Sequence, residues 1–108
     1  MKKIIIKIIK LIKLNNIIPV IVQNYFNKNI LILAWVNKYC LLESFFFKKT
    51  CFWSRSKNFC WRKGQTSNNI QIIKKIIFDC DLDSIIFKII QKNNSCYFNT
   101  KSCFNYIL

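Results

Sequence analysis

The sequence is expected to fold as a small α+β domain, mainly β, in which one helix packs on a small folded mixed sheet. Three observations carry that expectation. β-Branched and aromatic residues come in short runs separated by Asn- and Ser-rich breaks; one segment, opened by Asn37, has apolar residues at helical spacing; and no repeat, heptad pattern or linker divides the 108 residues. A chain of this length builds one domain with a sufficient but not generous core, so part of its apolar surface is expected to be covered between subunits.

Taken in order, Ile17–Tyr25 is apolar and β-branched, and Asn27-Lys28-Asn29 is a plausible turn into Ile30–Val36, which together read as a hairpin. Asn37 can cap a helix, because its side-chain oxygen can accept free N–H groups of the first turn. That helix is expected to reach about Lys49 and to bury Leu41, Leu42, Phe45 and Phe46. β-Favouring residues then give strands over Cys51–Ser56, Cys60–Lys63, Ile70–Cys80 and Ser84–Gln91, with a tight reversal at Asp81-Leu82-Asp83. An Asn- and Cys-rich tail from Lys92 to Leu108 closes the domain, which spans residues 17–108.

Residues 1–16 read as a basic amphipathic extension. At about 100° per residue Lys3, Lys7 and Lys10 share a stripe opposite Ile5, Ile8, Ile9 and Ile12. Such a helix docks on its own domain or lies on a membrane surface. No apolar run is long enough to span a bilayer, and lysines interrupt any signal-peptide core, so the expected location is the cytoplasm. In a reducing compartment the six cysteines, at 40, 51, 60, 80, 96 and 103, are buried small hydrophobes, redox thiols or metal ligands. With no histidine present, a transition-metal site must use thiolates and carboxylates.

Ile, Lys, Asn and Phe fill more than half the chain, so the residues that escape this bias are informative. The formal net charge is +14, yet three of the four carboxylates, Asp79, Asp81 and Asp83, fall within five residues. In an extended segment all three would point one way and Cys80 the other. Such crowding is expected to be offset by a bound cation; the plainer reading is an acidic turn between strands. Of 18 basic residues only Arg55 and Arg62 are arginine, and they share one stretch with Trp53, Trp61 and the single glycine, Gly64. An arginine fork binds phosphate or carboxylate in two-point fashion, and a glycine beside it suits a positive φ or a close ligand. Lysines are scattered through every segment, which fits composition drift; nucleic-acid binding would align them along one face. Cys80, Cys96 and Cys103 are spaced C-x15-C-x6-C, which lacks the close knuckles of a structural zinc finger. Three thiolates would leave a coordination position open, as in a catalytic zinc site, though buried cysteines explain the spacing equally well.

Six pieces occur in order: Ile18-Pro19-Val20-Ile21-Val22-Gln23, Leu33-Ala34-Trp35-Val36-Asn37, Phe52-Trp53-Ser54-Arg55-Ser56, Trp61-Arg62-Lys63-Gly64-Gln65-Thr66-Ser67, Asp79-Cys80-Asp81-Leu82-Asp83 and Ser102-Cys103-Phe104. Together they closely resemble the phosphoribosyl-AMP cyclohydrolases of histidine biosynthesis, from about Ile17 to Phe104. The resemblance implies an intertwined homodimer whose zinc ligands come from both subunits. It places magnesium on Asp79, Asp81 and Asp83, and zinc on Cys80, Cys96 and Cys103. It also implies attack of water on C6 of a purine ribosylated at N1, opening the N1–C6 bond, with zinc lowering the pKa of a bound water. Trp53, Ser54, Arg55, Ser56, Arg62, Lys63, Gly64, Thr66 and Ser67 are the candidates for binding this small phosphorylated nucleotide at its two terminal phosphates.

The sequence departs from the family at Cys96-Tyr97-Phe98-Asn99, where the family reads Cys-His-Thr-Gly. Tyr97 takes the place of a histidine that would contribute ~10²–10⁴ in rate as a base. Three functions are therefore carried forward. The first is a working, slower cyclohydrolase; the second is a decayed copy that still binds metal and dimerises; the third is a basic nucleic-acid- or membrane-binding protein.

Overall fold

The computed structural model describes Lys3, Ile6, Lys10 and residues 16–64, 70–91 and 102–108. Lys3, Ile6 and Lys10 are helical and exposed; the rest of the amphipathic segment lies outside the described residues. Among the described residues no helix is long and apolar enough to cross a membrane.

The elements follow as β1 (Ile18–Asn24), β2 (Ile30–Val36), α1 (Lys38–Phe47), β3 (Cys51–Ser54), β4 (Phe59–Arg62), β5 (Gln71–Phe78) and β6 (Ile85–Gln91). The hairpin read from the sequence is present, with β1 and β2 antiparallel, but its turn sits at Tyr25–Asn27 and ends on Lys28 with φ 67°. Strands β2-β1-β6-β5 form one mixed sheet in which β1 and β6 are parallel, and β3 and β4 form a separate two-stranded ribbon. Period-two alternation places Ile18, Val20 and Val22 of β1, Ala34 and Val36 of β2, and Ile85, Phe87 and Ile89 of β6 on one buried face. Phe52 of the ribbon, wholly buried, fills the space against that face, with ring contacts to Phe87 at 6.4 Å and Trp61 at 5.2 Å.

Helix α1 is capped as its sequence requires: Cys40 N–H donates to Asn37 Oδ1 at 2.9 Å. It ends earlier than Lys49, because Lys48 turns left-handed at φ 58° and its N–H closes back on Ser44 O. The buried stripe also differs from the expected one. Cys40, Leu41 and Ser44 face inward, whereas Phe46 is 64% exposed, because at about 100° per residue it falls on the side of the helix opposite those three. Ser44 makes that docking work. Its hydroxyl accepts from Cys51 N–H at 3.0 Å and donates to Cys51 O at 3.2 Å, so a helix side chain satisfies the β3 edge that faces away from β4.

Residues 48–50 tie the two sheets together. Ile73 N–H donates to Lys48 O at 2.8 Å and Thr50 N–H to Gln71 O at 3.2 Å, while Lys63 N–H reaches Thr50 O at 3.3 Å. Thr50 and Gln71, both buried, share a side-chain hydrogen bond of 3.0 Å. The outer face of the four-stranded sheet stays apolar and open, with Ile21, Leu33 and Ile77 all exposed.

Candidate active site

A cavity of about 470 Å³ opens where residues 48–50 join the two sheets, and Arg62, Lys63 and Gly64 line one side of it. Glu43, Phe47, Lys49, Thr50 and Ile70 complete the wall. Arg62 is on the last residue of β4 opposite Cys51, and its Nε and Nη2 donate to the two oxygens of Glu43, each at 2.5 Å. That fork holds the Glu43 carboxyl below its ordinary range and raises Arg62 in turn. Two of the five guanidinium N–H donors are used there, which leaves the remaining donors for an anion in the cavity. Gly64 has φ 88°, as the sequence anticipated for a backbone turning past a ligand. Thr66 and Ser67 follow it directly but lie outside the described residues.

Arg55 sits at the other end of the same ribbon, in the turn between β3 and β4. Its guanidinium stacks over Trp35 at 4.4 Å, and Ser54 Oγ lies 3.4 Å from Ser56 Oγ. Trp53, half-buried, packs on the core between the two arginines. The ribbon thus carries one arginine at each end, separated by three residues of strand or roughly 10 Å.

The aspartates do not lie on an extended strand, as the spacing suggested. β5 stops at Phe78, Asp79 N–H donates to Ser84 O, Leu82 N–H to Asp79 O, and Leu82 adopts φ 61°, so the segment is a turn. The turn still gathers the three carboxylates, whose oxygens lie within 4.8 Å of one another. Cys80 does not face away from them: its thiol donates to Asp81 Oδ1 at 3.7 Å, and the Asp79 carboxylate pushes it up from the ordinary thiol range. Asp79 is held low by hydrogen bonds from Asp83 and from Cys80 N–H, while Asp83 is raised by the same contact with Asp79. Two carboxyls sharing a proton make a place that a hard divalent cation fits, since the ion takes over the role of the proton.

Cys103 lies far from Cys80 within one chain. The tail runs along the free edge of β2, where Ser102 Oγ donates to Ile30 O at 2.7 Å and Cys103 N–H to Leu31 O at 2.7 Å. Cys80 is at the β5–β6 end of the same sheet, three to four strand spacings across from the tail, roughly 14–19 Å, and past the opposite strand ends. Cys96 and Tyr97 lie outside the described residues.

The family model for phosphoribosyl-AMP cyclohydrolase matches residues 32–105, which takes in the ribbon, the aspartate turn and the tail. The chain belongs to the phosphoribosyl-AMP cyclohydrolase family. Curated phosphoribosyl-AMP cyclohydrolases agree with it: that of Hydrogenovibrio crunogenus is 41% identical over 83% of this chain and 61% of its own length. The protein of Chlorobaculum tepidum is 40% identical over 83% of this chain and 66% of its own, and that of Chloroherpeton thalassium 42% over 83% and 64%. The chain therefore spans less than two thirds of the length of these relatives.

In this member of the phosphoribosyl-AMP cyclohydrolase family three further cysteines converge that the sequence reading left without a role. Cys40, Cys51 and Cys60 come from α1, β3 and β4, their sulfurs lie within 4.8 Å of one another, and Cys40 is disulfide-bonded to Cys60. The reading of all cysteines as reduced thus differs from the structure at this pair, because the helix cap and the ribbon register bring the two sulfurs together. Cys51 and Cys60 are diagonal neighbours on one ribbon face, given the pairing of Trp53 with Cys60, a signal available only once the register is known. Glu43 was also missed. It is the one acid outside the aspartate turn, and its rarity was the available clue.

Proposed function

We propose that the protein hydrolyses the N1–C6 bond of the adenine ring of 1-(5-phosphoribosyl)-AMP in the cytoplasm, as a homodimer using zinc and magnesium. The observation that carries this reading is the position of the family's arginine motifs at the two ends of one ribbon, beside a cavity of about 470 Å³, large enough for a small ligand. A substrate with two terminal phosphates matches two separated cationic ends. Arg62, Lys63 and the Gly64 turn, continuing into Thr66 and Ser67, bind one phosphate; Ser54, Arg55 and Ser56, backed by Trp53, bind the other. Each arginine is prepositioned, Arg62 by Glu43 and Arg55 by Trp35, which lowers the ordering cost of binding.

Asp79, Asp81 and Asp83 would hold magnesium, and Cys80, Cys96 and Cys103 would hold zinc. The oxygen set suits the harder ion and the thiolate set the softer. When bound, zinc supplies Lewis acidity for the attack of water on C6 and magnesium neutralises charge on the substrate. The separation of Cys80 from Cys103 within one chain supports the shared site, since the tail of a second copy can deliver Cys96 and Cys103 to the Cys80 turn. The open apolar face bearing Ile21, Leu33 and Ile77 supports the same dimer. Tyr97, which replaces the family's histidine in the sequence, would take over proton transfer.

The test is turnover of phosphoribosyl-AMP by the purified protein, with both metals supplied, from pH 6 to 10. The expected result is ring opening that rises toward high pH, as a tyrosine in place of histidine requires, and that chelation abolishes. Stoichiometric zinc without turnover would overturn the catalytic reading in favour of a decayed copy.

A further inference from the structure

We propose that Cys40, Cys51 and Cys60, once all three are reduced, form a thiolate site for a zinc-class divalent cation, separate from the aspartate turn and from Cys80, Cys96 and Cys103.

The three sulfurs come from three different elements and converge to within 4.8 Å of one another. In a tetrahedral site with Zn–S near 2.3 Å, neighbouring sulfurs stand about 3.8 Å apart, so the cluster needs only small adjustments once the Cys40–Cys60 bond is opened. The setting suits such an ion. Cys40 is in the first turn of a ten-residue helix, where the helix dipole favours a thiolate. Cys40 and Cys51 are wholly or almost wholly buried, and Cys60 is half-buried, so the cluster is largely shielded from water. Two oxygen donors stand beside the sulfurs. The Glu43 carboxylate is near enough to the Cys51 thiol to push it up, and Asn37 Oδ1 is 3.8 Å from Cys60 Sγ. Three soft donors with an oxygen near a fourth position form a zinc-type donor set.

The ion and the disulfide exclude one another. A phosphine reductant gives two electrons to the Cys40–Cys60 bond; water supplies two protons to the sulfurs and its oxygen to the phosphine oxide. The arriving cation then displaces one proton from each of the three thiols. The same cluster thus holds a covalent clasp between α1 and β4 when oxidised, and a metal clasp among α1, β3 and β4 when reduced.

Cobalt(II) is the probe, because its thiolate complexes absorb in the near ultraviolet. The full chain carrying Cys80→Ser, Cys96→Ser and Cys103→Ser, reduced with phosphine, is expected to develop that absorption and saturate at one cobalt per chain. It should lose the absorption when Cys51→Ala is added, or when the Cys40–Cys60 disulfide is left intact. Absence of the absorption in a folded, reduced protein would overturn the proposal, as would its survival of Cys51→Ala. Should the triple substitution prevent folding, the comparison is made between the wild-type chain and Cys51→Ala alone. A loss of one bound cobalt per chain is then expected, and unchanged stoichiometry would overturn the assignment.

Discussion

Replacing Ser44 with alanine removes a hydroxyl that serves two buried backbone groups at once. In the folded chain Ser44 and Cys51 are buried, and the Ser44 hydroxyl is the partner of both the N–H and the C=O of Cys51. The substitution removes one oxygen atom and leaves almost no cavity, so the change in packing contributes little. Two hydrogen bonds at about 1 kcal/mol each are lost, and each orphaned group adds a desolvation cost of about 1–3 kcal/mol unless the backbone relaxes. We expect a net destabilisation of about 2–4 kcal/mol, a large share of the roughly 5–15 kcal/mol that holds such a domain together. Urea unfolding of the reduced protein, at one fixed chain concentration, should show the midpoint falling by about 1–2 M with an unchanged slope. A loss below about 1 kcal/mol would refute the reasoning, because it would mean that water or β4 already meets the Cys51 groups.

Three further outcomes are expected. Lys48→Gly should raise the Tm by a few degrees, because glycine relieves a left-handed cap worth about 1 kcal/mol, less a weak cation–π contact with Phe45; a lower Tm would contradict this. Arg62→Lys should raise KM for phosphoribosyl-AMP by about tenfold or more although the charge is kept, since lysine cannot hold Glu43 and a phosphate with one planar fork; an unchanged KM would remove Arg62 from the phosphate site. Burial and the Glu43 carboxylate push the Cys51 thiol up to about 12, so its thiolate is scarce at pH 8. Iodoacetamide at that pH should therefore leave Cys51 unmodified in the native metal-free protein and react with it in urea, as peptide mapping would show.

Much of the plan was legible because it depends on local chemistry. Asn37 capped the helix as its side chain dictates, Asn- and Ser-rich breaks marked the strands, and Gly64 took the positive φ that glycine alone adopts at no steric cost. The rarity of arginine and aspartate in a lysine- and isoleucine-rich chain also pointed to Arg55, Arg62 and the aspartate turn without any knowledge of the fold. The buried face of α1 was not legible. Leu42 and Phe46 are as apolar as Leu41, and only the docking of the Cys40, Leu41 and Ser44 face on β3 decides that Phe46, on the other side of the helix, stays in solvent.

The sequence by itself determined which residue types were available for chemistry, where the chain turns, and the family to which these motifs belong. The tertiary structure alone decided which of them meet. It curled Asp79–Asp83 into a turn that draws Cys80 to the carboxylates, paired Arg62 with Glu43 across 19 positions, and gathered Cys40, Cys51 and Cys60 from three elements. The physical reason is that strand register and helix docking are set by burying Val20, Phe52 and Phe87 together, a collective packing that no local stretch of sequence specifies.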